Sequence, residues 1–369
     1  MGFTSDMFVR PISDIKIPNH DYKTIFKTAQ QCRQHPPQIS LYASHYHLMK
    51  RVHKATTITT TCILKEERDR CSSPSFTSHG LRFIRGKKLL SELSTWRIGG
   101  PCKYFVQVFD RNQLLSAIRY CHERSIRFLI IGKGSNCLFD DAGFDGCVIL
   151  NRIDFIEETK PGIYRVGSGY PFNQLGVRCS NDGFTGLEFA SGVPGTVGGG
   201  AFMNAGANGQ EISDAIYSVE ILQTDGRLET INRNDLAFGY RKSSFQDMQD
   251  LAAIVAVTFK LKPFPSAREQ QKEYLTKRRL SQPLGERSAG SVFKNPEGIG
   301  VSAGELIEKA GLKGFRLGNA KISEMHANFF INCGSTSKDM IELINLVKEK
   351  VKDKFKVELR EEIQYVSPI

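Results

Sequence analysis

Two short polar segments of this 369-residue chain contain side chains that could handle an anion or a proton. Arg241 lies in residues 240–244 (YRKSS), and a guanidinium suits a carboxylate because it can pair with both oxygens. Ser291 lies in residues 290–296 (GSVFKNP), which contain no GxSxG elbow and therefore do not indicate a hydrolase. Taken singly, a surface ion pair explains the arginine, and a turn or helix cap explains the serine.

Two glycine-rich segments indicate a phosphate-containing ligand. Residues 132–136 (GKGSN) and 191–200 (SGVPGTVGGG), the latter followed by 204–207 (NAGA), allow backbone N–H groups to approach phosphate oxygens closely. Neither segment matches GxGxxG or GxxxxGK[ST], so no Rossmann or P-loop assignment follows. Tight turns explain either segment alone equally well, but the two together favour an extended diphosphate ligand.

The elements around these segments indicate an α/β protein. An apolar strand at 128–131 (FLII) leads directly into the first glycine-rich segment, at a position where ligands commonly bind. A helix is predicted to begin at Asp110, since Gln113 completes a capping-box-like start before apolar residues at helical spacing. Residues 191–200 are too rich in glycine for a packed helix or a central strand and are predicted to form a loop. Further strands are predicted at 148–150, 218–222 and 252–261.

A smaller α+β unit is predicted after residues 263–265 (PFP) and the basic polar stretch that ends at Pro283. Within it, Ser302 and Glu305 predict the start of a helix, and Gly311 is placed to end that helix. A later helix has apolar residues along one face, which indicates core packing: Met340, Ile344, Val347, Val351 and Phe355.

The composition argues against several classes of protein. The chain has 40% apolar and 24% charged residues and no apolar run of about 18 residues. This composition predicts a globular protein without a membrane helix. The formal net charge is +11, but nearly half of the excess lies in residues 1–80, and no nucleic-acid-binding module is recognisable, so no nucleic-acid partner is expected. The nine cysteines are scattered without a CxxC pair, so we expect free thiols and no metal site.

Residues 1–80 differ in composition from the rest of the chain. They contain 17 Ser or Thr and six of the eight His, and no acidic residue lies between Asp21 and Glu66. This composition is typical of an organelle transit peptide and lacks the apolar core of a secretory signal. We therefore expect a disordered leader that directs the protein to a plastid (chloroplast) stroma. A tail without targeting value, and hence a cytoplasmic protein, is the alternative, which the acidic Asp6, Asp14 and Asp21 favour.

Taken together, six motifs resemble those of the UDP-N-acetylenolpyruvoylglucosamine reductase (MurB) family, in the same order and over residues 89–366. They are residues 94–100 (STWRIGG), 132–136 (GKGSN), 191–195 (SGVPG), 240–241 (YR), 290–296 (GSVFKNP) and 358–362 (ELREE). The resemblance implies a two-lobed FAD-binding region of the vanillyl-alcohol oxidase (PCMH) type and a smaller α+β substrate-binding domain. The expected division is a leader at 1–80, lobes at 81–150 and 151–263, and a substrate-binding domain at 264–369.

The resemblance also implies the functional residues. The FAD-binding residues would be Arg97, Gly132, Lys133, Gly134, Ser135, Asn136, Ser191, Gly192, Pro194, Gly195, Gly198, Gly199, Asn204 and Gly206. The residues in contact with the UDP-sugar would be Tyr240, Arg279, Lys294 and Asn295. The catalytic residues would be Arg241, Ser291 and Glu362.

The implied reaction is the reduction of UDP-N-acetylglucosamine enolpyruvate to UDP-N-acetylmuramate in peptidoglycan synthesis. NADPH, favoured over NADH by the resemblance alone, would reduce FAD, and flavin N5 would pass a hydride to the enolpyruvyl double bond. Arg241 and Glu362 would stabilise the negative charge that develops, and Ser291 would donate the proton. The alternatives are an FAD oxidoreductase of the same fold with another substrate, or a catalytically idle flavin-binding protein. We expect a monomer.

Three features depart from the family pattern or leave a choice open. Trp96 occupies a position where Phe is expected, and Glu361 directly precedes Glu362, so the late acid could be either residue. About 50 residues separate Arg241 from Ser291, which leaves no room for the long tyrosine-containing insertion of one branch of the family. The chain therefore resembles the shorter, type II-like branch.

Overall fold

Five strands of residues 75–151 form a first sheet. The computed structural model describes residues 9–10 and 74–368. The order of the strands in the first sheet is Ser75–Ser78, Leu81–Arg85, Cys102–Val108, Phe144–Asn151 and Phe128–Ile131. The last three of these strands are parallel. The helix Arg111–Glu123 connects two of them and begins as predicted, because the Asp110 side chain accepts a hydrogen bond from the Gln113 backbone N–H at 2.8 Å.

A second, antiparallel sheet follows. Its strand order is Leu228–Asn232, Ile216–Gln223, Leu251–Lys260, Ile163–Gly167 and Ile156–Lys160. The central strand is buried on both faces, since Val257 packs in the core of this sheet and Val255 packs with the first sheet. Burial on both faces explains why its sequence is an almost uninterrupted apolar run. All four strands predicted from the sequence are present: the strand at 128–131 has the predicted ends, and the ends of the other three differ by one to four residues.

The predicted loop at 191–200 is wrong in its second half, because Val197–Met203 is a helix. The Thr196 side chain caps it by accepting a hydrogen bond from the Gly199 N–H at 3.4 Å. The glycines serve close packing, since a Cβ on Gly198 would lie 2.8 Å from Ser168 Cβ. Tertiary packing therefore outweighs the low helix propensity of three consecutive glycines. The other helix over the second sheet is Phe172–Asn181.

The C-terminal part contains the helices Ala267–Ser281, Ala303–Lys309 and Ser337–Phe355 and a sheet of Arg316–Leu317, Ala320–Ile322 and Phe330–Asn332. The predicted helix start at Ser302 is confirmed, because its hydroxyl accepts a hydrogen bond from the Glu305 N–H at 3.2 Å. The predicted apolar face is also confirmed, since Met340, Ile344, Val347 and Val351 are buried.

The end of the chain returns to the first glycine-rich segment. The strand Gln364–Val366 pairs in parallel with Cys137–Phe139, directly after residues 132–136, and antiparallel with Val9–Arg10. A second tie is the buried Trp96, whose Nε1 donates a hydrogen bond to the Phe330 carbonyl at 2.7 Å. The C-terminal part is therefore fixed to the first sheet by backbone pairing and by a buried side chain.

Short strands and turns complete the fold. The paired two-residue strands are Phe184–Thr185 with Lys262–Pro263, Gly206–Ala207 with Gln210–Glu211, and Phe238–Gly239 with Lys242–Ser243. The 3₁₀ turns are Leu90–Glu92, Glu188–Gly192, Ile212–Asp214, Arg233–Asp235 and Ser244–Gln246. No helix within residues 74–368 has both the length and the apolar sequence needed to cross a membrane.

Candidate active site

A cavity of about 460 Å³ lies where the two sheets and the C-terminal part meet. Its volume falls within the range of roughly 300–1,000 Å³ that is usual for ligand pockets. Both glycine-rich segments line it, as do all three predicted catalytic residues: Arg241, Ser291 and Glu362. Ten of the fourteen predicted cofactor residues also line it: Gly132, Lys133, Gly134, Ser135, Asn136, Pro194, Gly195, Gly198, Gly199 and Gly206.

The two glycine-rich segments touch each other. The Ser135 hydroxyl donates a hydrogen bond to the Pro194 carbonyl at 3.1 Å. Gly134 has a φ of +57°, and a Cβ there would lie 2.1 Å from a backbone carbonyl oxygen, so only glycine fits. A Cβ on Gly132 would lie 2.3 Å from Thr196 Oγ1. Gly132 is therefore required for the close approach of the two segments, and Gly134 for its close contact with the Leu93 backbone.

Arg241 and Glu362 form a half-buried ion pair on the cavity wall. Arg241 Nε donates to Glu362 Oε1 at 2.7 Å, and Arg241 Nη2 donates to the Gly206 carbonyl at 2.8 Å. The two side chains are 16% and 18% exposed. The Arg241 backbone lies in the left-handed region, at a φ of +55°, which is unfavourable for a non-glycine residue. Strain of this kind is typical of a functional site.

Burial raises the pKa of Glu362, and the neighbouring Arg241 and Lys294 oppose that rise. The preceding acid has a different environment, because Glu361 Oε1 accepts a hydrogen bond from Lys348 Nζ at 2.8 Å. Glu361 is also absent from the cavity lining. Of the two acids between which the sequence left a choice, Glu362 is therefore the one positioned beside Arg241.

Backbone pairing brings Ser291 to the same cavity. The segment that contains it runs antiparallel to the end of the chain, with the Glu362 N–H donating to the Val292 carbonyl at 2.8 Å. Ser291 itself pairs with Phe329 in an isolated bridge. Among the described residues, no group forms a hydrogen bond with the Ser291 hydroxyl, so this hydroxyl can bond to a ligand.

Four predicted cofactor residues do not line the cavity. Arg97 is exposed, with a φ of +57°. Ser191 is buried, and its hydroxyl donates to the Glu188 carbonyl at 2.6 Å. Gly192 leaves space for another side chain, since a Cβ there would lie 2.6 Å from Arg278 Cδ. Asn204 is fully buried, with hydrogen bonds to other protein groups.

The predicted substrate residues Tyr240, Lys294, Asn295 and Arg279 also lie outside the cavity lining. Three of them are near it. The Tyr240 hydroxyl accepts a hydrogen bond from the Asn295 N–H at 3.3 Å, and the Arg241 guanidinium lies 4.9 Å from the Tyr240 ring centre. Lys294 is close enough to affect the Glu362 carboxyl. Arg279 is exposed on the helix Ala267–Ser281.

Arg278, which the sequence analysis did not select, lines the cavity together with Gln282. Its Nε and the Gln282 Oε1 are buried without a hydrogen-bond partner among the described residues. Burial lowers the pKa of Arg278 to about 10, so the side chain remains charged at neutral pH. Helical spacing could have identified this residue, because Arg278 falls seven positions after the buried Gln271, on the same face.

Comparison with known proteins places this fold and site in a class. Residues 102–232 match the family model described as an FAD binding domain, and residues 282–366 match that of the C-terminal domain of UDP-N-acetylenolpyruvoylglucosamine reductase. The molecule is therefore an FAD-binding protein of the vanillyl-alcohol oxidase type with an additional C-terminal domain, which confirms the expected fold class.

Individual relatives identify the family. The chain is 48% identical to UDP-N-acetylenolpyruvoylglucosamine reductase of Protochlamydia amoebophila over 75% of its length and 92% of the relative, and 44% identical to that of Chlamydia abortus over 77% and 94%. The crystal structure of the Thermus caldophilus reductase matches with a TM-score of 0.65 and 33% identity, over 77% of this chain and 99% of that one. The chain belongs to the UDP-N-acetylenolpyruvoylglucosamine reductase family.

The described residues fit FAD. Two glycine-containing segments meet at the cavity, where backbone N–H groups can reach a diphosphate. Lys133 adds a cation at the same place, and its Nζ donates to Asn173 Oδ1 at 3.4 Å. Burial and the nearby Arg152 lower the pKa of Lys133, and an anionic ligand would reverse that effect.

Proposed function

We propose that this protein reduces UDP-N-acetylglucosamine enolpyruvate to UDP-N-acetylmuramate, with FAD as bound cofactor and NADPH as reductant, in peptidoglycan precursor synthesis. The observation that supports this most strongly is the Arg241–Glu362 ion pair, which lies on one cavity with Ser291 and both glycine-rich segments. The reductases of Protochlamydia amoebophila and Chlamydia abortus, which share nearly their whole length with this chain, support the same substrate.

The side chains have complementary roles in this reaction. The two glycine-rich segments would hold FAD, which when bound would supply hydride transfer between NADPH and the terminal carbon of the enolpyruvyl double bond. Arg241 would bind the adjacent carboxylate and stabilise its growing negative charge. Glu362, whose pKa burial raises, would hold the Arg241 guanidinium in place and supply a hydrogen bond when protonated. The Ser291 hydroxyl would donate the proton that completes the reduction.

The UDP-sugar would extend from this centre past Tyr240, Lys294 and Asn295. Arg278 would add a buried charge for an anionic group of the ligand, since its guanidinium lies on the cavity with Nε unpaired. Arg279, the residue taken from the sequence, stays a prediction that competes with Arg278.

NADPH oxidation by the purified protein tests this function. Wild type should show a flavin spectrum and should oxidise NADPH beyond the equivalent that reduces its own FAD only when UDP-N-acetylglucosamine enolpyruvate is present. Ser291→Ala should keep the flavin and lose about 100- to 10,000-fold in rate, because its proton donor is missing. Ser288→Ala, three residues away and absent from the cavity lining, is the matched control and should retain full activity.

The other outcomes separate the alternatives. Bound flavin with NADPH oxidation that ignores this substrate would indicate an FAD oxidoreductase with another substrate. Bound flavin without any turnover would indicate an idle flavin-binding protein. A purified protein without flavin would contradict the whole proposal.

We also propose that the protein is a monomer and that residues 1–80 are a transit peptide for a plastid stroma. The support for targeting is the hydroxyl-rich, acid-poor composition of this segment. The structure describes only residues 9–10 and 74–80 of it, and Ser75–Ser78 is a strand of the first sheet, so the first lobe begins before the predicted boundary at residue 81. Import of a reporter fused to residues 1–80, and loss of import when they are deleted, is the expected result. A reporter that stays in the cytoplasm would contradict targeting, and size-exclusion chromatography would test the monomer.

A further inference from the structure

Asn204 ends the helix Val197–Met203 and is completely buried. Its backbone lies in the left-handed region, with a φ of +44°. The sequence predicted a contact with the cofactor, but Asn204 does not line the cavity, and its side chain bonds to protein groups instead. A buried, fully bonded amide directly behind a ligand cavity suggests that it positions something in that cavity.

The Asn204 amide is bonded to the turn that contains Arg241. Its Nδ2 donates to the Gly239 carbonyl at 2.8 Å, two residues before Arg241. Gly239 pairs with Lys242 in a two-residue hairpin, so Arg241 lies in the loop of that hairpin. Asn204 thus fixes one end of the turn that holds the Arg241 backbone at its unfavourable φ of +55°.

The same amide is bonded to the hairpin that holds the Arg241 side chain. Asn204 Nδ2 also donates to Glu211 Oε2 at 2.6 Å, and Glu211 pairs with Gly206 in the neighbouring hairpin. The Gly206 carbonyl accepts the hydrogen bond from Arg241 Nη2 at 2.8 Å. The Asn204 side chain therefore contacts both hairpins that position Arg241: the one whose loop contains Arg241 and the one whose Gly206 carbonyl binds the guanidinium.

We propose that Asn204 is a positioning residue for Arg241, and this inference rests on the function proposed above. Arg241 would act only when the enolpyruvyl carboxylate is present, so its position matters for transfer to the substrate and not for reduction of FAD by NADPH. Loss of Asn204 should therefore slow transfer to the substrate and leave the reduction of FAD by NADPH unchanged. A direct cofactor contact would instead change both half-reactions or the affinity for FAD.

The test is stopped-flow absorbance of the flavin in Asn204→Gly, since glycine tolerates the left-handed backbone and removes the side chain that carries the amide. Reoxidation of the reduced enzyme by UDP-N-acetylglucosamine enolpyruvate should slow by roughly 10- to 100-fold, the effect expected of a misplaced catalytic group. Reduction by NADPH and the flavin content should stay at wild-type values. Asn204→Ala, which also removes both N–H donors and adds no charge beside Glu211, should behave alike and serves if the glycine variant does not fold.

Asn208→Gly is the matched control, because Asn208 lies in the loop of the hairpin that directly follows Asn204, is exposed and also has a positive φ, of +55°. It should match wild type in both half-reactions. If Asn204 acts through Arg241, Asn204→Gly should cause little further loss in an Arg241→Lys background. Equal slowing of both half-reactions, loss of flavin, or additive effects in the double variant would overturn the inference. Failure of wild type to be reoxidised by this substrate would instead overturn the proposed function.

Discussion

Arg278 and Arg279 are neighbours in the sequence with opposite environments. Arg279 is exposed, whereas Arg278 lines the cavity with its Nε unpaired. The resemblance gave only an approximate position for this arginine, because the arginine belongs to none of the six motifs. The helical phase of residues 267–281 distinguishes the two arginines, since the buried Ala267 and Gln271 define the face on which Arg278 lies. Arg241, Ser291 and Glu362 were predictable because each belongs to a specific motif.

Arg278→Gln should raise KM for the UDP-sugar by roughly 10- to 100-fold, because a hydrogen bond to a charged group contributes about 1.5–3 kcal/mol. Arg279→Gln, which removes the same charge from the exposed neighbour, should change KM by less than about twofold. Steady-state kinetics of the two variants shows which of the two arginines binds the UDP-sugar. The reverse ranking would restore the assignment made from the sequence.

The pH dependence of stability should depend on His326. This side chain is half-buried, and its Nδ1 accepts the Asn328 N–H at 3.2 Å. Burial chiefly, with a contribution from Lys313, lowers its pKa below the usual 6.5. The unfolded chain then binds the proton more tightly, so the stability is fully present above pH 6.5 and falls as the pH decreases from there towards the folded pKa.

His326→Gln should therefore flatten the decline in the free energy of unfolding below pH 6.5, since glutamine cannot take up the proton. Urea unfolding at a series of pH values measures this, with the exposed His122→Gln as the control that keeps the wild-type slope. Identical slopes in the wild type and both variants would contradict the assignment to His326.

At the scale of elements, local patterns were sufficient where a strand or helix is specified by its own residues. The strand 128–131, the Asp110 and Ser302 caps and the apolar face of Ser337–Phe355 were all predicted. The helix Val197–Met203 was not, because its stability comes from close contact with Ser168 and from the Thr196 cap rather than from propensity. Contacts between distant residues of this kind are not visible in a local sequence window.

Two adjacent glycines of that helix should respond in opposite ways to alanine. A Cβ on Gly198 would meet Ser168 Cβ at 2.8 Å, so Gly198→Ala should destabilise the protein by about 1–3 kcal/mol. At Gly199 the nearest atom is Thr196 Oγ1 at 3.5 Å, so Gly199→Ala should be neutral or stabilise by up to about 1 kcal/mol. Thermal unfolding of the flavin-free proteins tests the pair, and equal shifts would contradict the packing explanation.

At the scale of the whole molecule, the cavity is built from parts that are far apart in the chain. The first sheet supplies residues 132–136, the second supplies Leu251 to Ile254, and the C-terminal part supplies Ser291 and Glu362. The sequence predicted residues 132–136, Ser291 and Glu362 through their motifs, but it indicated no site role for Leu251 to Ile254. The resemblance implied that Arg241, Ser291 and Glu362 act together, but the sequence could not predict the contacts that bring them together, such as the pairing of Gln364–Val366 with Cys137–Phe139.

Trp96→Phe should weaken the attachment of the C-terminal part, although Phe is the residue expected there from the family. Phenylalanine would leave the buried Phe330 carbonyl without the indole donor, at a cost of about 1–3 kcal/mol. Denaturant unfolding followed by circular dichroism should show a lower midpoint. The exposed Tyr217→Phe is the control, and an unchanged midpoint in Trp96→Phe would contradict a stabilising role for this hydrogen bond.

Trp96 is also the one tryptophan of the chain, and its indole is 0% exposed between the first sheet and the C-terminal part. Its fluorescence therefore reports on a single, known place in the molecule. Detachment of the C-terminal part would expose the indole to water and shift its emission to longer wavelength. Ligand binding that leaves the C-terminal part attached would not shift the emission in this way. The native protein thus contains its own optical probe for distinguishing rigid binding from opening of the structure.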